Sequence, residues 1–140
     1  MRRVFFPVFL LSIMLASCGN KELTISESWA RTGTTGGNSA IYLIIDNPTN
    51  QDDVLLSASS SVAVAVELHM SKMTDEGTMM MQQQENIPVP MGTKVELRPG
   101  GLHIMLINLN KDLVEGSSFQ VVLNFQNAGE ITIEIPVKNP

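Results

Sequence analysis

The chain has 140 residues, 9 basic against 14 acidic, with a formal net charge of −5 and 44% hydrophobic residues. That length provides one domain plus a leader, and a chain of this size buries a working core without disulfides or a structural metal. The acidic balance, with no basic patch interleaved with aromatics, excludes a nucleic-acid binder.

Met1-Arg2-Arg3 is a short positive head, and Val4 to Leu15 is an apolar run too short to span a bilayer as a stable anchor. Leu15-Ala16-Ser17-Cys18 follows and resembles the bacterial lipobox, in which the chain is cut before the cysteine and the cysteine is lipidated. This order predicts a lipoprotein signal peptide over residues 1–17, a lipidated Cys18 with a tether over 18–24, and a β domain over 25–140. The expected location is periplasmic or otherwise extracytoplasmic, at a membrane through the lipid anchor. Cys18 is also the only cysteine. No internal disulfide is available, and an acylated Cys18 leaves no thiol for chemistry.

From Leu23 the pattern is β. Leu23-Thr24-Ile25-Ser26 alternates, as does the region around Trp29-Ala30-Arg31. Residues 32–39 are rich in turn formers, and Ala40 to Asp46 is a β-branched and aromatic run suited to a central strand. Asn47 to Asp53 reads as a turn and Val54-Leu55-Leu56 as the start of another strand. From Val62 to His69 the alternation puts Val62, Val64, Val66 and Leu68 on the core face, with Ala63, Ala65, Glu67 and His69 on the wetter one.

Met70 to Thr78 is expected as a hairpin connection with Thr74-Asp75-Glu76-Gly77 at its tip, and Met79 to Gln83 as the returning strand. Pro88 and Pro90 make Ile87 to Met91 an extended edge segment outside the ladder. Lys94 to Leu97 is a short strand, and Arg98-Pro99-Gly100-Gly101 a tight turn. Leu102 to Leu106 then sends Leu102, Ile104 and Leu106 to one face and His103 and Met105 to the other. Asn108 to Gly116 is a loop with room for a short helical turn. Phe119 to Phe125 and Ile131 to Val137 close the chain as a hairpin around Asn127-Ala128-Gly129. Short strands separated by Gly, Pro and Asn, without an amphipathic helix, predict an all-β sandwich.

The chemistry concentrates between His69 and Met105. Both histidines lie there, with every methionine beyond Met14: Met70, Met73, Met79, Met80, Met81, Met91 and Met105. Thioether sulfur and neutral imidazole suit the soft ion Cu(I). In His103-Ile104-Met105 the first and third residues project from one strand face, and the Gly-Gly turn before them permits close backbone approach. A His and a Met on one face are by themselves more often packing or surface residues. Three successive methionines at 79–81 cannot all face one core. Met80 fits core filling, and Met79 and Met81 share a face with Gln83, which reads as solvated. Met70, Met73 and Met91 suit either a looser copper surface or hydrophobic cover.

Together these residues resemble the PCu(A)C family of periplasmic copper chaperones. His69-Met70 is followed by ten residues, Met81, twenty-one residues, and His103-Ile104-Met105. Val66-Glu67-Leu68-His69, Ile87-Pro88-Val89-Pro90 and Val95 to Gly101 match the family in style, as do Trp29-Ala30-Arg31 and Ala40 to Leu43. The resemblance implies a cupredoxin-like or Ig-like Greek-key β-sandwich or barrel, with His69, Met81, His103 and Met105 as copper ligands. The connection after His69 is about one residue longer than in many relatives, so Met79 and Met80 stay open as alternatives to Met81. The implied role is delivery of Cu(I) to a copper-accepting respiratory oxidase subunit in cytochrome c oxidase assembly, or exchange with a Sco-type protein.

Two histidines and two methionines form a neutral set that favours Cu(I), while Cu(II) would keep the histidines and relax its hold on the sulfurs. Unlike thiolates, these donors do not readily form disulfides outside the cytoplasm. A site at one end of the barrel would be open to exchange with a partner. Copper sequestration or resistance uses the same site without a dedicated acceptor, and a structural lipoprotein would bind no metal. A blue-copper carrier needs a cysteine thiolate, which is absent from the domain. No Ser-His-Asp set, catalytic carboxylate pair or zinc-spaced cluster points to an enzyme.

Overall fold

A computed structural model describes residues 19–140; the expected signal peptide and Cys18 lie outside the described residues. Ten strands follow in chain order: β1 (Thr24–Arg31), β2 (Ser39–Asn47), β3 (Asp53–Ser59), β4 (Ala63–Met73), β5 (Met79–Gln84), β6 (Ile87–Val89), β7 (Thr93–Leu97), β8 (Leu102–Leu109), β9 (Ser118–Phe125) and β10 (Gly129–Lys138). The all-β expectation holds, and residues 110–117 contain no helical turn.

Two ladders make the sandwich. One runs β5-β4-β8-β2-β1, and the other runs β10-β9-β3-β6. A parallel pairing of β1 with β10 joins them, with Ala30 opposite Val137 and Arg31 opposite Lys138. One edge of β2 is shared in turn by β8, along Ser39 to Ile41, and by β7, along Leu43 to Asn47. The Arg98–Gly101 turn carries the chain from β7 to β8 beside Tyr42, closed by the Arg98 N–H donating to the Leu102 carbonyl at 2.9 Å.

Alternation decides which face each ladder buries. Leu68, Ile104, Leu106, Ile41, Leu43, Ile45 and Leu97 face inward from the first ladder; Leu55, Val89, Val121, Leu123, Phe125 and Ile135 do so from the second. Each such side chain contributes about 1.5–3 kcal/mol relative to exposure. The opposite face of the first ladder carries Trp29, Tyr42, Glu67, His69, Met81, His103 and Met105, by the same period of two.

Four details differ from expectation. Val64 is 67% exposed while Ala63 is buried. The β4–β8 pairing skips Val64 where Asn108 adopts a φ of 56°, so regular alternation begins only beyond it. Met70 to Met73 belong to β4 rather than to the hairpin connection, because they pair with Met79 to Gln82. His69 is therefore inside a strand and not at its end. Finally, β6 is a ladder member: Pro88 pairs with Val54 on the terminal strand of the sheet, where its missing N–H costs least.

Candidate metal centre

Two adjacent strands bring the two histidines together. In the antiparallel pairing of β4 with β8, His69 lies directly opposite His103, and Glu67 directly opposite Met105. The imidazole centroids are 5.9 Å apart, with ring planes inclined by 39°. The pairing is not local: the register of two strands creates it between histidines 34 residues apart in sequence.

Each ring has one nitrogen held and the other without a partner. His69 Nε2 lies 2.8 Å from Glu67 Oε2. A carboxylate accepts only, so Nε2 carries the proton and the Nδ1 lone pair of the neutral ring stays free. His103 Nδ1 lies 3.0 Å from the Gly101 carbonyl. It must donate, which leaves the lone pair on Nε2. Both remaining atoms, His69 Nδ1 and His103 Nε2, are buried and lack a hydrogen-bond partner. Burying an unpaired polar nitrogen is unfavourable, on the order of 1–3 kcal/mol. Imidazoles that bind metals are commonly oriented in this way, one nitrogen donating to a carboxylate or carbonyl and the other free for the ion.

The Gly101 carbonyl also accepts the Ser71 N–H at 3.1 Å. The tautomer of His103 is thereby tied to the docking of β8 on β4. Tyr42 packs against His103 from β2 with a centroid distance of 6.4 Å, and Trp29 stacks on Tyr42 at 4.7 Å. A bulge between Ser26 and Trp29, with Glu27 at a φ of 50°, sets Trp29 opposite Tyr42. Arg31 lies over the other part of the Tyr42 ring, 5.7 Å from its centroid. This cover corrects the expectation of surface histidines. His103 is only 3% exposed, although it points away from the main core.

Met81 on β5 and Met105 on β8 share the strand face of the two rings. Met81, His103 and Met105 line one open cleft of about 320 Å³, together with Arg31, Ser39 and Tyr42. In the β4–β5 pairing Ser71 is opposite Met81 and Lys72 opposite Met80. Met81 therefore shares the face of His69, and Met80 takes the other one. Met79 has the parity of Met81 but lies two residues farther from His69, about 7 Å along the strand. Met80 is 57% exposed and does not fill a core. It lies on the edge strand β5, whose residues Met79 to Gln83 are exposed on both faces.

The candidate residues thus share the outer face of the first ladder. Met70 is half-buried on the opposite parity of β4, and Met91 belongs to the β6–β7 connection, where its N–H bonds to Asp52. Glu67, Tyr42 and the Gly101 carbonyl were not singled out from the sequence. Glu67 carried a signal, since it stands two residues before His69 and so shares its face. Among the described residues no three His, Cys, Asp or Glu side chains converge as metal donors.

A larger hollow of about 530 Å³ lies elsewhere, lined in part by Leu23, Asn47, Asp53 and Asn127. Two of its polar side chains, Asn47 and Asp53, are already engaged. Asn47 Nδ2 donates to the carbonyls of Gln51 and Val89, and Asp53 accepts the N–H groups of Val54, Asn127 and Ala128. That network fastens loops.

Comparison with known proteins matches residues 23–137 to the family model "Putative lipoprotein LpqE-like". The chain belongs to the LpqE-like family. A relative of this LpqE-like chain, "Putative lipoprotein Lxx21020" of Leifsonia xyli subsp. xyli, is 27% identical over 115 residues, covering 82% of this chain and 69% of its own length. Among solved structures, the copper-bound PCuAC domain from PmoF2 superposes with a TM-score of 0.72 at 25% identity, over 86% of this chain and 95% of that one. The Cu(I) form of DR1885 from Deinococcus radiodurans shares the fold with a TM-score of 0.62 at 22% identity, over 87% and 83% of the two chains. The LpqE-like chain has the cupredoxin-like sandwich of the PCuAC domains, and the expected kinship with that family holds.

Proposed function

We propose that the protein is an extracytoplasmic copper chaperone that carries Cu(I) on His69, Met81, His103 and Met105. The observation that carries this reading is the pair of buried, unpartnered nitrogens, His69 Nδ1 and His103 Nε2, on rings 5.9 Å apart, with Met81 and Met105 on the same strand face and lining one cleft with His103. The fold likeness to a copper-bound PCuAC domain supports the same reading. In this scheme Glu67 and the Gly101 carbonyl orient the rings, and the imidazoles bind through different nitrogens. Met81 and Met105 supply neutral sulfur, so the bound ion keeps its single positive charge. A soft, low-charge donor set selects Cu(I) over Cu(II), which would rely on the histidines.

The task is carriage and exchange of the ion. The membrane anchor in this reading is a lipid on Cys18 after removal of residues 1–17, with the β domain, whose core takes in Leu23 and whose first strand starts at Thr24, held near its acceptor. The acceptor is a respiratory oxidase copper centre in cytochrome c oxidase assembly, directly or with a Sco-type partner. The test is an anaerobic Cu(I) titration against a competing chelator, with an X-ray absorption spectrum of the loaded protein. One tightly bound equivalent with two nitrogen and two sulfur neighbours is expected. A spectrum without sulfur, or no tight binding, overturns the reading. Loss of oxidase activity in a deletion strain at low copper separates delivery from sequestration.

A further inference from the structure

Five of the large apolar side chains that the fold leaves exposed are methionines: Met73, Met79, Met80, Met81 and Met91. Burial does not account for them, because an exposed thioether gains little from the hydrophobic effect. Exposed methionine is also open to sulfoxide formation outside the reducing cytoplasm. Met73 and Met79 differ from the others in being directly paired. They end β4 and begin β5, opposite each other, and are 64% and 52% exposed.

The hairpin fixes their approach. Its tip is closed by the Thr74 N–H donating to the Thr78 carbonyl at 2.8 Å and the Gly77 N–H donating to the Thr74 carbonyl at 2.9 Å, with Gly77 at a φ of 80°. Since Thr74 and Thr78 form a hydrogen-bonded pair, the next pair, Met73 and Met79, is a non-hydrogen-bonded one, where side chains come closest. Opposite Cβ atoms at such a position are about 4.5–5.5 Å apart, a span that two long, flexible thioether arms close around one ion. Both residues share the parity of Ser71 and Met81, hence the face of His69. A row of sulfur therefore runs from the hairpin tip toward the histidine pair.

We infer that Met73 and Met79 form a second, outer Cu(I) site on the β4–β5 hairpin. It rests on the copper reading above for the identity of the ion. Two neutral thioethers bind the ion without proton release or redox change. Met81, diagonal to Met73, joins them when the inner site is empty. The outer site is the weaker one, because its exposed arms must be ordered on binding while the two imidazoles are already held by hydrogen bonds.

The test is an anaerobic titration of the whole β domain with Cu(I) against chelators of graded strength, using the unaltered protein, the double variant Met73→Leu/Met79→Leu and the single variant Met105→Leu. The hairpin positions are exposed and leucine conserves volume, so circular dichroism should show an unchanged fold. Two equivalents are expected for the unaltered protein, the second bound about tenfold or more weakly. The hairpin variant should keep the first at unchanged affinity and lose the second. Met105→Leu should weaken the first and spare the second. A single equivalent in the unaltered protein, or two in the hairpin variant, overturns the inference and leaves Met73 and Met79 as exposed apolar surface. Loss of the first equivalent in the hairpin variant also overturns it, since Met79 would then belong to the inner set. A weak second equivalent lost with Met73 and Met79, beside a first that ignores Met105, sustains the outer site and refutes the inner ligand set.

Discussion

Replacing Glu67 with Ala removes the acceptor that lies 2.8 Å from His69 Nε2. Two magnitudes compete. As a contact between side chains 12% and 32% exposed, the pair is partly screened and contributes only about 0.2–1 kcal/mol to folding. Under the proposed copper site, as the group that fixes the tautomer and orientation of a ligand ring, it would be worth 10- to 100-fold in metal affinity, about 1.4–2.7 kcal/mol. The second effect exceeds the first, so affinity should fall much further than stability. The assay pairs Cu(I) competition with urea unfolding of the metal-free protein. Glu67→Ala should leave the unfolding free energy within about 1 kcal/mol and weaken Cu(I) binding by about 10- to 100-fold. Glu67→Gln should fall between, since its amide oxygen still accepts from Nε2–H but lacks the charge. If Glu67→Ala loses stability yet binds Cu(I) as tightly as the unaltered protein, the carboxylate is structural only, and the assignment of His69 Nδ1 as a ligand atom fails.

Met81→Leu should weaken Cu(I) binding by tenfold or more, on the order of 1.4 kcal/mol, while Met80→Leu on the other face of β5 should leave the same titration unchanged. His103→Ala should retain a β spectrum by circular dichroism but lower the unfolding free energy by about 1–3 kcal/mol in urea, because it empties a buried site and removes one of the two donors to the Gly101 carbonyl. Gly33→Ala should be destabilising by a similar amount, about 1–3 kcal/mol. A Cβ there would meet Leu109 Cδ1 at 2.6 Å, inside a bridge that pairs Gly33 with Leu113. Asp112 accepts the Thr35 N–H at 2.7 Å and the Thr35 hydroxyl at 2.8 Å, and these bonds, the backbone one first, hold its carboxyl below the ordinary value. A depressed carboxylate stabilises the fold fully above the ordinary Asp pKa, about 3.9, and loses that contribution as pH falls through the lowered one. The Thr35 amide resonance should shift in that acidic window, and Asp112→Asn should abolish the shift.

The strands were legible because period-2 alternation survives wherever one face is buried. Ile41, Leu43 and Ile45 on β2 and Leu102 to Leu106 on β8 show this directly. The His103–Met105 face followed from the same rule. What the rule cannot supply is which strands become neighbours. Placing His69 opposite His103 depends on the β4–β8 register, and burying His103 depends on Tyr42 and Trp29 arriving from β2 and β1. The resemblance to the PCu(A)C pattern implied the four proposed ligands without any knowledge of these neighbours. The support of the rings was hidden for a different reason, since the Gly101 carbonyl is a backbone atom with no signature in the sequence. Met80 was misplaced because methionine was read as a core residue, whereas β5 is an edge strand with all three methionines exposed.

A carrier must hold an ion firmly yet release it, and these demands fall on different halves of the proposed set. The imidazoles sit on inner strands, each fixed by a hydrogen bond, and His103 is walled in by Tyr42. Their geometry is set before any ion arrives, which lowers the ordering cost of binding. Met81 is the opposite case, 56% exposed on the edge strand β5 and bordering an open cleft. Its thioether can swing away without disturbing the core, and a partner's sulfur can take its place on the ion. Release in this scheme begins at Met81 and ends at the histidines, so an acceptor that docks over β5 meets the labile ligand first. Stiffening that edge, for example by a disulfide across β4 and β5 at Ser71 and Met81, would remove the labile ligand itself. Burying it would instead preserve binding and slow transfer, and comparing the two rates distinguishes loss of a ligand from loss of its mobility.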